Sequence, residues 1–67
     1  MTVQQIIALA RKHVGANPNM ENIARLYLFD ALTYNDAADY PAAKRCALQS
    51  LAYSIGVFHR DYKKAQA

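Results

Sequence analysis

NIARLYLFDALTYNDAADY, residues 22–40, is the most apolar run in the chain that still keeps a helical period. Ile23, Ala24, Tyr27, Ala31 and Tyr34 fall on one face of the helix it predicts, and Leu28 and Leu32 widen that face. Leu26 and Phe29 lie round the side, near Asn22 and Thr33. An apolar arc this wide calls for two neighbours rather than one. Those neighbours are the first and third helices, or one helix and a second chain. The run ends in Asn35-Asp36-Ala37-Ala38-Asp39, a polar turn that folds the chain back.

Beyond that turn, Asp39 or Tyr40 is placed to cap a third helix, with Pro41 in its first turn, where a missing N–H costs nothing. Tyr40, Ala43, Ala47, Leu48, Leu51 and Ile55 make its apolar stripe, and Lys44, Arg45 and Gln49 face out. Ala42, Ala43, Cys46, Ala47 and Ser50 leave the helix thin on one side, so that a neighbouring backbone can come close. Gly56 interrupts or ends it. Residues 57–67 read as a short fourth helix or an extended arm, with Phe58 and Tyr62 sharing a face.

On the N-terminal side, Thr2-Val3-Gln4-Gln5 has the form of a capping box. Val3, Ile6, Ile7, Ala10 and Val14 follow on one stripe with Leu9 on its flank, while Gln4, Ala8, Arg11 and Lys12 face water. Arg11, Lys12 and His13 fall in the last turn, where positive charge suits the helix dipole. Gly15 is placed to end this helix in the left-handed conformation. In Ala16-Asn17-Pro18-Asn19, either Asn17 or Asn19 can cap the second helix. The expected fold is all-α: a three-helix module over about 3–14, 18–35 and 40–56, built on an antiparallel helical hairpin, with a tail at 57–67.

From Tyr27 to Leu51 the chain resembles a tetratricopeptide-type helical hairpin. Tyr27, Ala31 and Tyr34 stand at the spacing of the large, small and aromatic positions of such a unit's first helix. Asp39-Tyr40 resembles its Gly-Asp-Tyr turn, with Ala38 in the glycine's place, and Ala43, Ala47 and Ser50 follow at the small positions of its second helix. Asp30 stands where such a unit has Leu, no Pro closes it near Ile55, and there is one copy. The resemblance implies the hairpin geometry.

The chain has 67 residues, which bounds it to one domain. A domain this short buries only about 60% of the surface of its unfolded chain and needs a staple or very good packing. Cys46 is the single cysteine, so no intrachain disulfide forms. His13, His59 and Cys46 have no metal-ligand spacing, and neither metal nor cofactor is expected. Oligomerisation or helix packing alone remains. The N-terminus has no basic n-region, and no apolar run approaches the roughly 20 residues of a membrane span. A reducing, cytoplasmic setting is the expectation, and it suits a free thiol.

The formal net charge is +3, unevenly spread. Glu21, Asp30, Asp36 and Asp39 occupy the middle, Arg11 and Lys12 precede them, and Lys44, Arg45, Arg60, Lys63 and Lys64 follow. No constellation demands catalysis. His59-Arg60-Asp61 matches a kinase triplet by coincidence in a chain this short. Cys46 sits mid-helix among small residues with nothing placed to lower its pKa. The function expected is therefore non-enzymatic: a small protein–protein interaction module acting as regulator, adaptor or inhibitor, and homodimeric. Its interface candidates are Ile6, Leu9, Leu26, Phe29, Asp30 and Tyr53, Tyr being a residue in which interfaces concentrate energy. The alternative is a nucleic-acid-binding accessory protein whose Lys44, Arg45, Arg60, Lys63 and Lys64 contact phosphates.

Overall fold

A computed structural model describes residues 1–56. The expectations for the tail, including the face of Phe58 and Tyr62, lie outside the described residues. The fold is all-α: α1 (Val3–His13), a 3-10 turn (Pro18–Met20), α2 (Glu21–Asp36) and α3 (Tyr40–Ser54).

α1 begins with the reciprocal capping box. The Gln5 N–H donates to Thr2 Oγ1 at 3.1 Å, and the Thr2 N–H donates to Gln5 Oε1 at 2.8 Å. Its buried residues are Ile6, Ile7 and Ala10, an i, i+1, i+4 stripe. Gly15 does not end it in the left-handed conformation as expected. Among the described residues only Ala38 and Gly56 have positive φ. Val14 stays in the right-handed region, and the Ala16 N–H closes a turn onto the His13 carbonyl at 2.9 Å. A Cβ at Gly15 would stand 3.2 Å from Glu21 Oε1, the end of a flexible side chain that can give way by a few tenths of an ångström.

The second helical segment starts at Pro18 as expected, but its first turn is 3-10. Asn17 Oδ1 accepts the Asn19 N–H at 3.2 Å, which tightens that turn before α2 opens at Glu21. Glu21 pairs with Arg25 at 2.8 Å across one exposed helical turn, an interaction of about 0.3–0.5 kcal/mol.

α2 ends in a Schellman arrangement. The Asp39 N–H reaches the Tyr34 carbonyl at 2.9 Å and the Ala38 N–H the Asn35 carbonyl at 3.1 Å. Ala38 sits between them at φ 59°, where a Cβ is strained by about 1–2 kcal/mol. Asp39 then caps α3, its Oδ1 accepting the Ala42 N–H at 3.4 Å. Ala38→Gly removes the strain and adds unfolded-chain entropy of about 0.4–1 kcal/mol. It is expected to stabilise the fold by about 0.5–1 kcal/mol, read as a higher urea midpoint; an unchanged or lower midpoint would refute the strain.

The hairpin of α2 and α3 closes through small residues. Ala24, Ala31, Ala43, Ala47 and Ser50 have no solvent exposure. Ser50 Oγ donates to the Ala24 carbonyl across the seam at 2.8 Å, a distance reached only when two helices lie close. α1 covers the other side of the seam, mainly against α3. There Ile6, Ile7 and Ala10 meet Leu28, Ala31, Ala47, Leu48 and Leu51 in one core. The buried face of α2 is thus Ala24, Leu28 and Ala31. Ile23 and Tyr34, expected on that face, are exposed at its edge, and Tyr40 at the start of α3 is exposed as well. An alanine seam leaves no depth for large side chains between the backbones, so they spill outward.

Candidate functional site

On α2, the direction opposite Ala24, Leu28 and Ala31 carries Leu26 and Phe29, 66% and 67% exposed. Both are large side chains held out from a helix whose opposite face is fixed in the seam. Thr33 stands one turn beyond Phe29, its Oγ1 donating to the Phe29 carbonyl at 3.1 Å, so it offers the surface a methyl group. Asn22 lies one turn before Leu26, and Ile23 and Tyr34 flank the patch on the side of α3. The result is a short apolar strip with polar ends.

Asp30 is exposed beside this strip. Among the described residues it makes no ion pair with Lys44 or Arg45; the ion pair found there is Arg25–Glu21. Its carboxylate is near enough to Cys46 to act on the thiol. Burial pushes the Cys46 thiol above its ordinary value of about 9, Asp30 raises it further, and Arg45 opposes the rise. A nucleophilic thiol needs the opposite environment. Cys46 is half-buried and packs against the core as a small apolar residue.

The other residues singled out from sequence separate. Ile6 is 3% exposed and belongs to the core, so it is not available at a surface: α1 turns the Ile6–Ile7–Ala10 stripe straight onto α3. Leu9 is half-buried, one side against the core and the other open to a groove. Tyr53 lies on the far edge of the hairpin and stacks on Tyr27, ring centres 5.6 Å apart and planes within 9°. The parallel, offset pair is worth about 0.5–1.5 kcal/mol beyond its burial and ties the two helices together at their open side. Of the cations proposed for phosphate, Lys44 is half-buried, Arg45 is exposed, and Arg60, Lys63 and Lys64 lie outside the described residues.

Two features were not legible in the sequence as sites. The water-facing side of α1 is flanked by two open grooves, one lined by Gln4, Ile7, Ala8, Arg11, Lys12, Leu32 and Asn35, the other by Met1, Gln5, Ala8, Leu9 and Lys12. Both rely on Ala8 being small. The signal available was a charge asymmetry, since α1 has no acidic residue while α2 has Glu21, Asp30 and Asp36. Among the described residues, no group of three His, Cys, Asp or Glu side chains comes together as a metal site, and no helix is long and apolar enough to cross a membrane. Comparison of the chain with family models, with curated proteins and with solved structures gives no match.

Proposed function

We propose that this chain is a non-enzymatic protein–protein interaction module that works as a homodimer, joined through the outer face of α2. One observation carries the reading: Leu26 and Phe29 stand about two-thirds exposed on a single strip of a helix whose other face is locked into the hairpin. Two such large side chains, side by side and flanked by Ile23 and Tyr34, are what a partner surface covers, and a small domain gains most from covering them. The polar rim of Asn22, Arg25, Asp30 and Thr33 gives that strip the anatomy of an interface, apolar at the centre and wet at the edge. A cytoplasmic setting fits the free thiol of Cys46.

The test is the solution mass by light scattering across a dilution series, for the native chain and for a Leu26→Lys, Phe29→Lys double variant. The native chain is expected at twice its 7.5 kDa mass at high concentration and the variant at the monomer mass with unchanged helicity. Burying two lysines in the strip would weaken association by at least about 3 kcal/mol, a factor of more than 100 in Kd. A native chain that stays monomeric throughout would remove the homodimer.

A further inference from the structure

The second surface of this molecule is chemically distinct from the first. α1 carries Arg11 and Lys12 on its solvent side, both exposed and neither in an ion pair among the described residues. The two grooves beside them have volumes of about 510 Å³ and 400 Å³, and no carboxylate lines either one. Each mixes apolar and polar lining: Ile7, Ala8 and Leu32 beside Gln4, Arg11, Lys12 and Asn35 in the first, and Met1, Ala8 and Leu9 beside Gln5 and Lys12 in the second. Ala8 and Lys12 line both, so the two troughs adjoin at Ala8 and share a cationic end. At the other end of the first trough stands an amide pair, Gln4 Nε2 donating to Asn35 Oδ1 at 3.3 Å.

We propose that this face of α1 docks an acidic amphipathic helix of another protein. A helix lying over Ala8 places apolar side chains, three and four residues apart, in the two troughs. Its carboxylates then meet Arg11 and Lys12, which make no ion pair among the described residues. Gln4 and Asn35 can exchange their mutual bond for bonds to the incoming helix. The chemistry favours a helix over a nucleic acid. A phosphate backbone calls for cations spaced along its track, whereas here the cations stand at one end and the remaining lining is aliphatic or amide. Because Arg11 and Lys12 lie on α1 and Leu26 and Phe29 on the outer face of α2, the proposal stands or falls separately from the homodimer. A chain with both surfaces would join its own second copy to an acidic client.

The experiment is a phage-display selection of random 16-residue helical peptides on the full chain, run in parallel on the Leu26→Lys, Phe29→Lys variant so that self-association plays no part. The recovered peptide of greatest enrichment is then titrated by fluorescence anisotropy against the native chain, Arg11→Glu/Lys12→Glu and Ala8→Trp, with helicity checked by circular dichroism. Both cations are exposed but lie in the last turn of α1, where acidic charge opposes the dipole, so Arg11→Gln/Lys12→Gln is titrated beside the charge reversal and is expected to weaken binding in the same direction with native helicity. The expected result is enrichment of peptides with Asp or Glu on one face and Leu-type residues three and four apart on the other, on both baits. Binding is expected to weaken about ten-fold with the two reversed charges, and to be lost in Ala8→Trp, whose ring takes up the space where the two troughs adjoin. Enrichment of basic peptides, no enrichment, indifference to Arg11→Glu/Lys12→Glu, or displacement of the peptide by a short random DNA duplex would each overturn the proposal.

Discussion

Leu51→Ala is expected to cost this protein about 2–5 kcal/mol of folding stability. Leu51 is 1% exposed and is the largest side chain shut off from water among the described residues. It shares the core with Ile6, Ile7 and Ala10 of α1, Leu28 and Ala31 of α2, and Ala47 and Leu48 of its own helix. It is therefore placed where all three helices meet. Truncation to Ala removes three carbon atoms, and the neighbours cannot follow them. Ala10, Ala31 and Ala47 are too short to fill the space, and the backbones of α2 and α3 are already held together by the Ser50 bond. The cost thus contains both the lost transfer energy and most of the cavity.

The scale of the loss decides its consequence. A chain of 67 residues has a stability of roughly 3–10 kcal/mol in total, with no disulfide to limit its unfolded state. Leu51→Ala should bring the urea midpoint, followed by far-UV circular dichroism, close to zero denaturant or unfold the chain outright. A loss below about 1 kcal/mol would mean that the core relaxes around the cavity and that the three helices do not close on Leu51. Leu26→Ala is the natural comparison, since a side chain two-thirds exposed should change stability by no more than about 0.5 kcal/mol in the monomer.

What the sequence revealed, and what it hid, follows one physical line. Features set by neighbours along the chain were legible: the Thr2–Gln5 capping box, a cap at Asp39 or Tyr40 with Pro41 behind it, of which Asp39 is the one used, and a return within Asn35–Asp39, although α2 runs through Asp36 before it turns at Ala38. So was the thin side of α3, because Ala43, Ala47 and Ser50 recur on one face whatever packs against them. What depended on the approach of a second helix was not legible. A helical wheel weighs Ile23 and Tyr34 above Ala24, since large apolar residues dominate any hydrophobic arc. The seam reverses that order, because contact as close as the Ser50–Ala24 bond admits only small groups between the backbones. Leu26 and Phe29 lie outside by helical period alone, opposite Ala24, Leu28 and Ala31, whereas Ile6 is buried because α3 covers its edge of the α1 stripe, which a wheel of α1 alone does not show. Gly15 does not take the left-handed conformation its place after α1 suggests, because the chain turns there through the Ala16 N–H onto the His13 carbonyl instead.

Ser50→Leu tests that seam directly, and the expected loss is about 2–4 kcal/mol. Ser50 has no exposure, and its Oγ donates to the Ala24 carbonyl at 2.8 Å. Leucine adds two heavy atoms at the point where the helices are closest. To admit them, α3 must move away from α2 or the new side chain must leave its rotamer, at about 1–3 kcal/mol. The lost hydrogen bond adds about 1 kcal/mol. Ser50→Ala separates the two contributions. It removes the hydroxyl and adds no volume, and the Ala24 carbonyl, inside α2, keeps the Leu28 N–H of the helical ladder. That variant should lose only about 1 kcal/mol, so the difference between the two midpoints measures close packing alone. Helix separation in Ser50→Leu should also part Tyr27 from Tyr53, whose rings are stacked at 5.6 Å on the edge of the same seam. Near-UV circular dichroism of the tyrosines would then change in Ser50→Leu and remain native in Ser50→Ala. If Ser50→Leu were no more costly than Ser50→Ala, with its tyrosine signal intact, the helices would have room between them. The small residues would then not be what keeps Ile23 and Tyr34 at the edge of the seam.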